Sequence, residues 1–103
     1  MLELEIRIIV FREGDWWVAQ CLEYDLATQT RRLDDMPTEL LRLLVIQVAS
    51  NQRLGVEPFH GFSEAPRRFW RLYEEAKVRL ESVQPLEAPT SAGLRIAEIR
   101  VSA

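Results

Sequence analysis

The first twenty-two residues constrain the fold more than any other stretch of the chain. Leu2, Leu4, Ile6, Ile8 and Val10 alternate with Glu3, Glu5 and Arg7. A period of two sends alternate side chains to opposite faces of an extended backbone, so this is a half-buried strand. Ile9 and Phe11 break the alternation, which predicts cover on both faces at the far end. Glu13-Gly14-Asp15 then makes a turn, with Gly14 free to take a positive φ. Trp16 to Leu22 returns as a second strand. One face carries Trp17, Ala19 and Cys21, the other Trp16, Val18, Gln20 and Leu22. So short a connection dictates an antiparallel hairpin.

The remaining elements follow by pattern. Leu26 to Arg32 alternates weakly and carries two arginines, as suits a third strand at a sheet edge where charge discourages unwanted pairing. Leu33-Asp34-Asp35-Met36-Pro37 marks a helix start, with acids beside the positive end of the dipole and proline in a first turn that tolerates it. From Leu40 to Ala49 apolar residues surround most of the helix, leaving Glu39, Arg42 and Ser50 as a narrow polar seam. A helix this apolar calls for cover beyond a single sheet. Gly55 fits a left-handed C-cap. Val56 to Glu64 is a loop anchored by Val56, Phe59 and Phe62. Pro66 opens a second helix whose stripe is Phe69, Leu72, Tyr73, Ala76, Leu80 and Val83. Gln84 to Gly93 is a connector, and Leu94 to Val101 a last strand that does not alternate cleanly. The expected fold is α+β over a single domain, residues 1–103. Its order is β-β-β-α-α-β, in a four-stranded mixed sheet of order 3-2-1-4. A right-handed crossover sets the last strand parallel to the first, in a truncated ribonuclease-H-like arrangement.

Composition removes several classes of function. Thirteen basic against sixteen acidic residues leave a formal charge of −3, so no blanket of positive charge awaits a nucleic-acid backbone or an anionic membrane. Cys21 is the only cysteine and His60 the only histidine, which excludes an intramolecular disulfide and a His/Cys zinc site. No cofactor or metal is expected. The N-terminus carries acid where a signal peptide needs positive charge. The longest apolar uncharged run, Leu43 to Gln52, is about half of what spans a bilayer. A cytoplasmic protein with a reduced thiol and no membrane contact is the expectation.

Two catalytic constellations can be written down. Glu3, Glu5, Glu39 and Glu98 are the carboxylates that a two-metal nuclease would need to converge, although Glu3 and Glu5 are also what any strand shows to solvent. Cys21 and His60 could form a nucleophile and base; the plainer reading is a small buried hydrophobe and a polar loop residue. For recognition, Trp17 is expected beneath the first helix. Trp16, Val18 and Leu22 then lie on the opposite face, either under the second helix or against a partner. Trp70 poses the same choice. Arg67, Arg68 and Arg71 are the one compact basic cluster, a solvated face or a patch for RNA or an acidic partner.

The stretch Trp16-Trp17-Val18-Ala19-Gln20-Cys21-Leu22-Glu23-Tyr24-Asp25-Leu26-Ala27-Thr28-Gln29 resembles the signature of the HicB-like antitoxin family of bacterial toxin–antitoxin systems, over about residues 4 to 35. The resemblance implies a partial ribonuclease-H-like domain. Its function would be to bind a small basic HicA-type mRNA-cleaving toxin, without catalysis, and family members are commonly dimers or higher oligomers. Three departures stand out. Thr30-Arg31-Arg32-Leu33-Asp34-Asp35-Met36 replaces the family's usual Gly-Asp-Thr-Leu-Glu-Glu-Ala helix start, the insertion carrying the second helix is longer than a minimal member needs, and the chain ends at Ala103, just after the expected last strand. The family's C-terminal DNA-binding part is therefore not expected, nor is operator binding. The expected function is a non-catalytic protein-binding domain, a homo-oligomer, with Trp16, Val18, Leu22, Tyr24 and Trp70 as the candidate partner-binding residues. The alternatives are a solitary module of the same fold with an unrelated partner, or a metal-dependent nuclease.

Overall fold

A two-residue turn fixes the register from which the sheet is built. In the computed structural model, which describes residues 4–80 and 94–102, β1 (Leu4–Glu13) pairs antiparallel with β2 (Trp16–Cys21). Glu13 lies opposite Trp16 and Phe11 opposite Val18. Gly14 takes φ +61 while Asp15 stays in the negative region. One positive φ at the first loop position is the signature of a type II′ turn, whose twist matches that of the strands. β3 (Ala27–Thr30) continues the meander at the sheet edge.

A 3-10 turn at Leu33–Asp35 leads into α1 (Met36–Arg53), with Pro37 in the first turn. Gly55, at φ +71, ends it: the Gly55 N–H donates to the Gln52 carbonyl at 3.1 Å and the Val56 N–H to that of Asn51 at 3.1 Å. That pair of bonds is a Schellman cap. The following loop is plugged into the core by Phe59, whose backbone N–H donates to Asn51 Oδ1 at 3.0 Å and whose φ is +60. A non-glycine residue held there stores strain that its burial must offset.

The second helix is shorter than its stripe predicts. α2 (Arg67–Glu75) stops before Ala76, and the chain extends into β4 (Val78–Arg79), which pairs antiparallel with β5 (Leu94–Val101). The mixed sheet therefore has five strands, in the order β3-β2-β1-β5-β4, where four were expected. The expected 3-2-1-4 order survives within it, with β5 parallel to β1. The physical reason for the extra strand is β5's outer edge: the Leu80 N–H donates to the Ile99 carbonyl at 2.9 Å, a bond that a continued helix could not supply. Leu80 accordingly packs in the core beneath α1, not on the α2 stripe. Val83 and the connector lie outside the described residues.

The imperfect alternation of the last strand also has a cause. Ile6 faces Ile96 but Arg7 faces Glu98, so Ala97 is an extra, unpaired residue. This bulge switches the phase of β5. Leu94 and Ile96 before it, and Ile99 and Val101 after it, all point to the α1 face. Glu98 and Arg100 are thereby turned to the other. The α1 side holds the main core, Ile6, Ile8, Val10, Ala19, Cys21, Met36, Leu40, Leu44 and Val48 among its members, with Trp17 packed against it as expected. The α2 side buries Ile9, Leu22, Ala65 and Tyr73, with the polar Gln20 beside them.

Candidate functional site

The α2 side of the sheet is only half covered, and the reason lies in how the chain reaches it. The segment before α2 crosses the end of β2, where the Asp25 N–H donates to the Ser63 carbonyl at 2.7 Å and the Ala65 N–H to that of Leu22 at 2.9 Å. This delivers nine helical residues over Ile9 and Leu22 and leaves the hairpin-tip end of the sheet open. There Trp16, Val18 and Phe11, all half-buried, form a row with Phe69 of α2. Phe11 and Phe69 stack with ring centroids 5.8 Å apart. The Arg31 guanidinium lies 4.4 Å over Trp16 and that of Arg68 lies 4.7 Å over Phe69. The result is an apolar strip rimmed by cations whose planar faces already stack on its rings.

The covered half of the same face is held by charge. Tyr73 Oη donates to Glu98 Oε2 at 2.7 Å, Arg100 Nη1 donates to the Tyr73 carbonyl at 3.0 Å, and the Arg100 guanidinium lies 4.2 Å over the Tyr73 ring. Arg79 Nε closes on Glu98 Oε1 at 2.5 Å. The hydrogen bond from Tyr73 holds the Glu98 carboxyl below its usual range, with Arg100 and Arg79 adding to it and burial opposing. Burial and the bond to Glu98 push the Tyr73 hydroxyl up to about 12. Beside this cluster Arg7 grips Glu23, Nε to Oε2 at 2.7 Å, and lies 4.7 Å over the Trp70 ring. Trp70 lines a cleft of about 470 Å³ with Glu64, Ala65, Arg67 and Glu74. Its Nε1–H is buried without an acceptor among the described residues.

Of the five candidate partner-binding residues, the structure brings Trp16 and Val18 together on the open strip. It sets Trp70 apart, against Arg7. Leu22 is corrected: it is fully buried beneath Ala65 and Tyr73 and presents no surface. Tyr24 is also placed elsewhere, on the α1 side of the sheet. It stacks on the buried Phe59 at 4.3 Å and helps seal the main core. Phe11, Phe69, Arg31 and Arg68 were missed as members of the strip. Phe11 could have been found, because a two-residue loop at Gly14–Asp15 puts it opposite Val18; Arg31 could not, because its place beside Trp16 follows from the Trp17–Thr30 register that only the structure gives.

Among the described residues the catalytic constellations do not assemble. Glu3 lies outside the described residues. Glu5 is exposed near Arg95, Glu39 accepts from Thr28 Oγ1 at 3.2 Å on the α1 side, and Glu98 is spoken for on the α2 side. Among the described residues no three His, Cys, Asp or Glu side chains are placed to share a metal ion. Cys21 is enclosed in the core, where burial pushes its thiol up to about 12, while His60 sits exposed on its loop. A thiol so raised is a poor nucleophile. No helix among the described residues is long and apolar enough to cross a membrane.

Comparison with protein-family models, with curated proteins and with solved structures returns no match for this chain.

Proposed function

We propose that this chain is a non-catalytic protein-binding domain of the HicB-like kind, recognising its partner with the open strip of Trp16, Val18, Phe11 and Phe69. The observation that carries the reading is that α2 covers half of a sheet face and leaves an aromatic row half-exposed on the rest. Aromatic side chains supply large contact area at small entropic cost, and they concentrate at interface centres. The parallel pairing of β1 with β5 and the helix across one face support reading the sheet as a truncated ribonuclease-H-like one. In the antitoxin form of the reading the partner is a small basic toxin of the HicA type, met in the cytoplasm, and the chain's net charge of −3 favours such a partner.

A second reading is favoured by the rim. Arg31 and Arg68 flank the strip, with Arg67 and Arg71 exposed on the same helix. Cations in that position steer an acidic segment in and a basic one away. On this reading the domain is a solitary module with an acidic client. One experiment separates the two: co-expression of the full chain with the product of the neighbouring short reading frame, followed by affinity measurement with Trp16→Ser and Arg31→Glu. Trp16→Ser weakens binding under both readings. Arg31→Glu tightens a basic partner and loosens an acidic one. A partner whose affinity ignores Trp16→Ser and Phe69→Ser would sink the proposal.

A further inference from the structure

The part of the sheet that α2 leaves open has the dimensions of a seat for one more helix. α2 runs from the end of β2, where Ala65 bonds Leu22, to β5, where Tyr73 bonds Glu98, and it rests on Ile9. At about 3.4 Å per residue along β1, Phe11 lies about 7 Å beyond Ile9, and Glu13, opposite Trp16, about 14 Å beyond it. The centre of the open strip is thus about 10 Å from the line of α2, the distance at which packed helices lie side by side. The wall of the seat is the flank of α2 that carries Phe69, Leu72 and Ala76, spaced i, i+3 and i+7. Beyond Phe11 the seat continues into a cavity of about 340 Å³ lined in part by Leu72, Ala76, Lys77 and Ser102. Its charge is uneven. On this face Arg7 is spent on Glu23, and Arg79 and Arg100 on Glu98. Arg31 and Arg68, both exposed toward the β3 end of the seat, hold no carboxylate among the described residues, and Glu13 pairs with neither.

We propose that this seat takes one amphipathic α-helix of a partner protein, laid antiparallel to α2, with carboxylates at its C-terminal end against Arg31 and Arg68. The inference rests on the reading of the strip as the partner site, and it gives that partner its shape and its charge. An extended segment lying flat on Trp16, Val18 and Phe11 would leave its backbone N–H and C=O groups unpaired on apolar surface, whereas a helix satisfies its own. Direction follows from charge. Arg31, Arg68 and the N-terminus of α2 stand at one end of the seat, so the negative end of an antiparallel helix meets all three. A parallel helix would set its positive end there. From Arg31 to Ser102 the seat crosses four strands, about 15–20 Å, which about 10–13 helical residues span. Apolar side chains at i, i+3, i+4 and i+7 would lie on Phe11, Val18 and Trp16, the mode in which a groove recognises a helix. The stacking of Arg31 on Trp16 and of Arg68 on Phe69 orders both guanidinium groups in advance, which lowers the cost of binding. A basic helix is turned away by the same two groups.

Selection on the full chain from a displayed library of random peptides about 14 residues long tests it. The peptides that bind are expected to become helical on binding, by circular dichroism. They should carry apolar residues at i, i+3, i+4 and i+7, with Asp or Glu gathered in the last turn. Trp16→Ser should weaken them about tenfold or more. Arg31→Glu and Arg68→Glu, at exposed positions that leave the fold intact, should each weaken them about fivefold. Exchanging the last-turn acids of a peptide for lysine should restore its affinity for the chain carrying both reversals. A proline in the middle of the peptide should abolish binding. Peptides that depend on Trp16 but are basic, extended, or acidic in the first turn instead of the last would overturn the helix and its direction while leaving the strip as the partner site. A single-stranded RNA oligonucleotide that displaces the selected peptides would overturn the protein occupant. Binders indifferent to both Trp16→Ser and Arg31→Glu, or a library that yields none, would overturn this proposal and the reading of the strip together.

Discussion

The two faces of the sheet are stabilised by different physics. Beneath α1 a contiguous set of aliphatic side chains is removed from water, and the polar groups there are few and local, such as Thr30 Oγ1 donating to the Arg32 carbonyl at 2.8 Å. Beneath α2 the buried Ile9, Leu22 and Ala65 are framed by Tyr73, Glu98, Arg79 and Arg100 and by Arg7 with Glu23. Aliphatic burial is non-directional and scales with area, so the first face closes completely. Hydrogen bonds and stacked guanidinium groups are directional and local, so the second closes only where they reach. The strip left open is a consequence of that difference, and the faces can be tested against each other.

The sharpest break comes from deleting Arg7 from the middle of β1. Ile6 and Ile8 both face α1 with Arg7 between them, so its removal turns one flank of the strand over, sending either Leu4 and Ile6 or Ile8 and Val10 out of the aliphatic core. A one-residue slip inverts every side chain beyond it. Its cost is expected to exceed the whole net stability of a domain this size, on the order of 5–15 kcal/mol. The expected result is loss of cooperative urea unfolding and of near-ultraviolet circular dichroism. A folded deletion variant would mean that the two faces are not distinguished by register.

Next in size is Leu44→Ala, at a fully buried position beneath α1. It removes aliphatic atoms and leaves a cavity, for a loss of roughly 2–5 kcal/mol by denaturant titration. Tyr73→Phe, the corresponding cut on the α2 side, keeps the ring and removes only the hydroxyl bonded to Glu98. Roughly 1.5–3 kcal/mol is expected, the worth of a hydrogen bond to a charged group. Tyr73 and Glu98 also give this face a pH dependence. Glu98 is held below its ordinary value of 4.5, so its contribution is present above that pH and is lost as pH falls further. Tyr73 is raised from 10.0 to about 12, so its contribution is present below pH 10 and is lost on the way to 12. Tyr73→Phe should flatten the alkaline limb of a stability–pH profile, and Leu44→Ala should leave its shape unchanged.

How much of this was legible in the sequence follows the same division. Period-two alternation from Leu4 to Ile8, the glycine turn and the Asn51–Val56 helix stop report local backbone preferences, and the structure follows them. The placement of Trp17 beneath α1 followed from alternation alone. The end of α2 did not, because Leu80 satisfies a helical stripe and an edge strand equally well, and a non-local bond to Ile99 decides between them. Leu22 was misjudged for a related reason. Its burial depends on Ala65, which arrives from a loop some forty residues later, and no local pattern announces where a loop will land. The sequence exposed the aromatic residues of the candidate strip but not the half-width of the helix that leaves them uncovered.

The smallest effect on stability, and the most informative for function, is expected at Trp16. Its ring is half-buried beneath the Arg31 guanidinium on a sheet face with no helix above it. Replacing it with serine forfeits one exposed cation–π contact and some partial burial, about 0.5–1 kcal/mol by thermal or urea unfolding. If the α2 face were simply an under-packed core, removing its largest exposed ring would cost as much as cutting into the α1 side, and partner affinity would follow the loss of folded protein. If the strip is a recognition surface, stability and binding separate: the variant stays folded and its affinity falls by an order of magnitude or more. Measuring both on one preparation decides the point, since a contiguous apolar patch that the fold does not need marks an interaction surface.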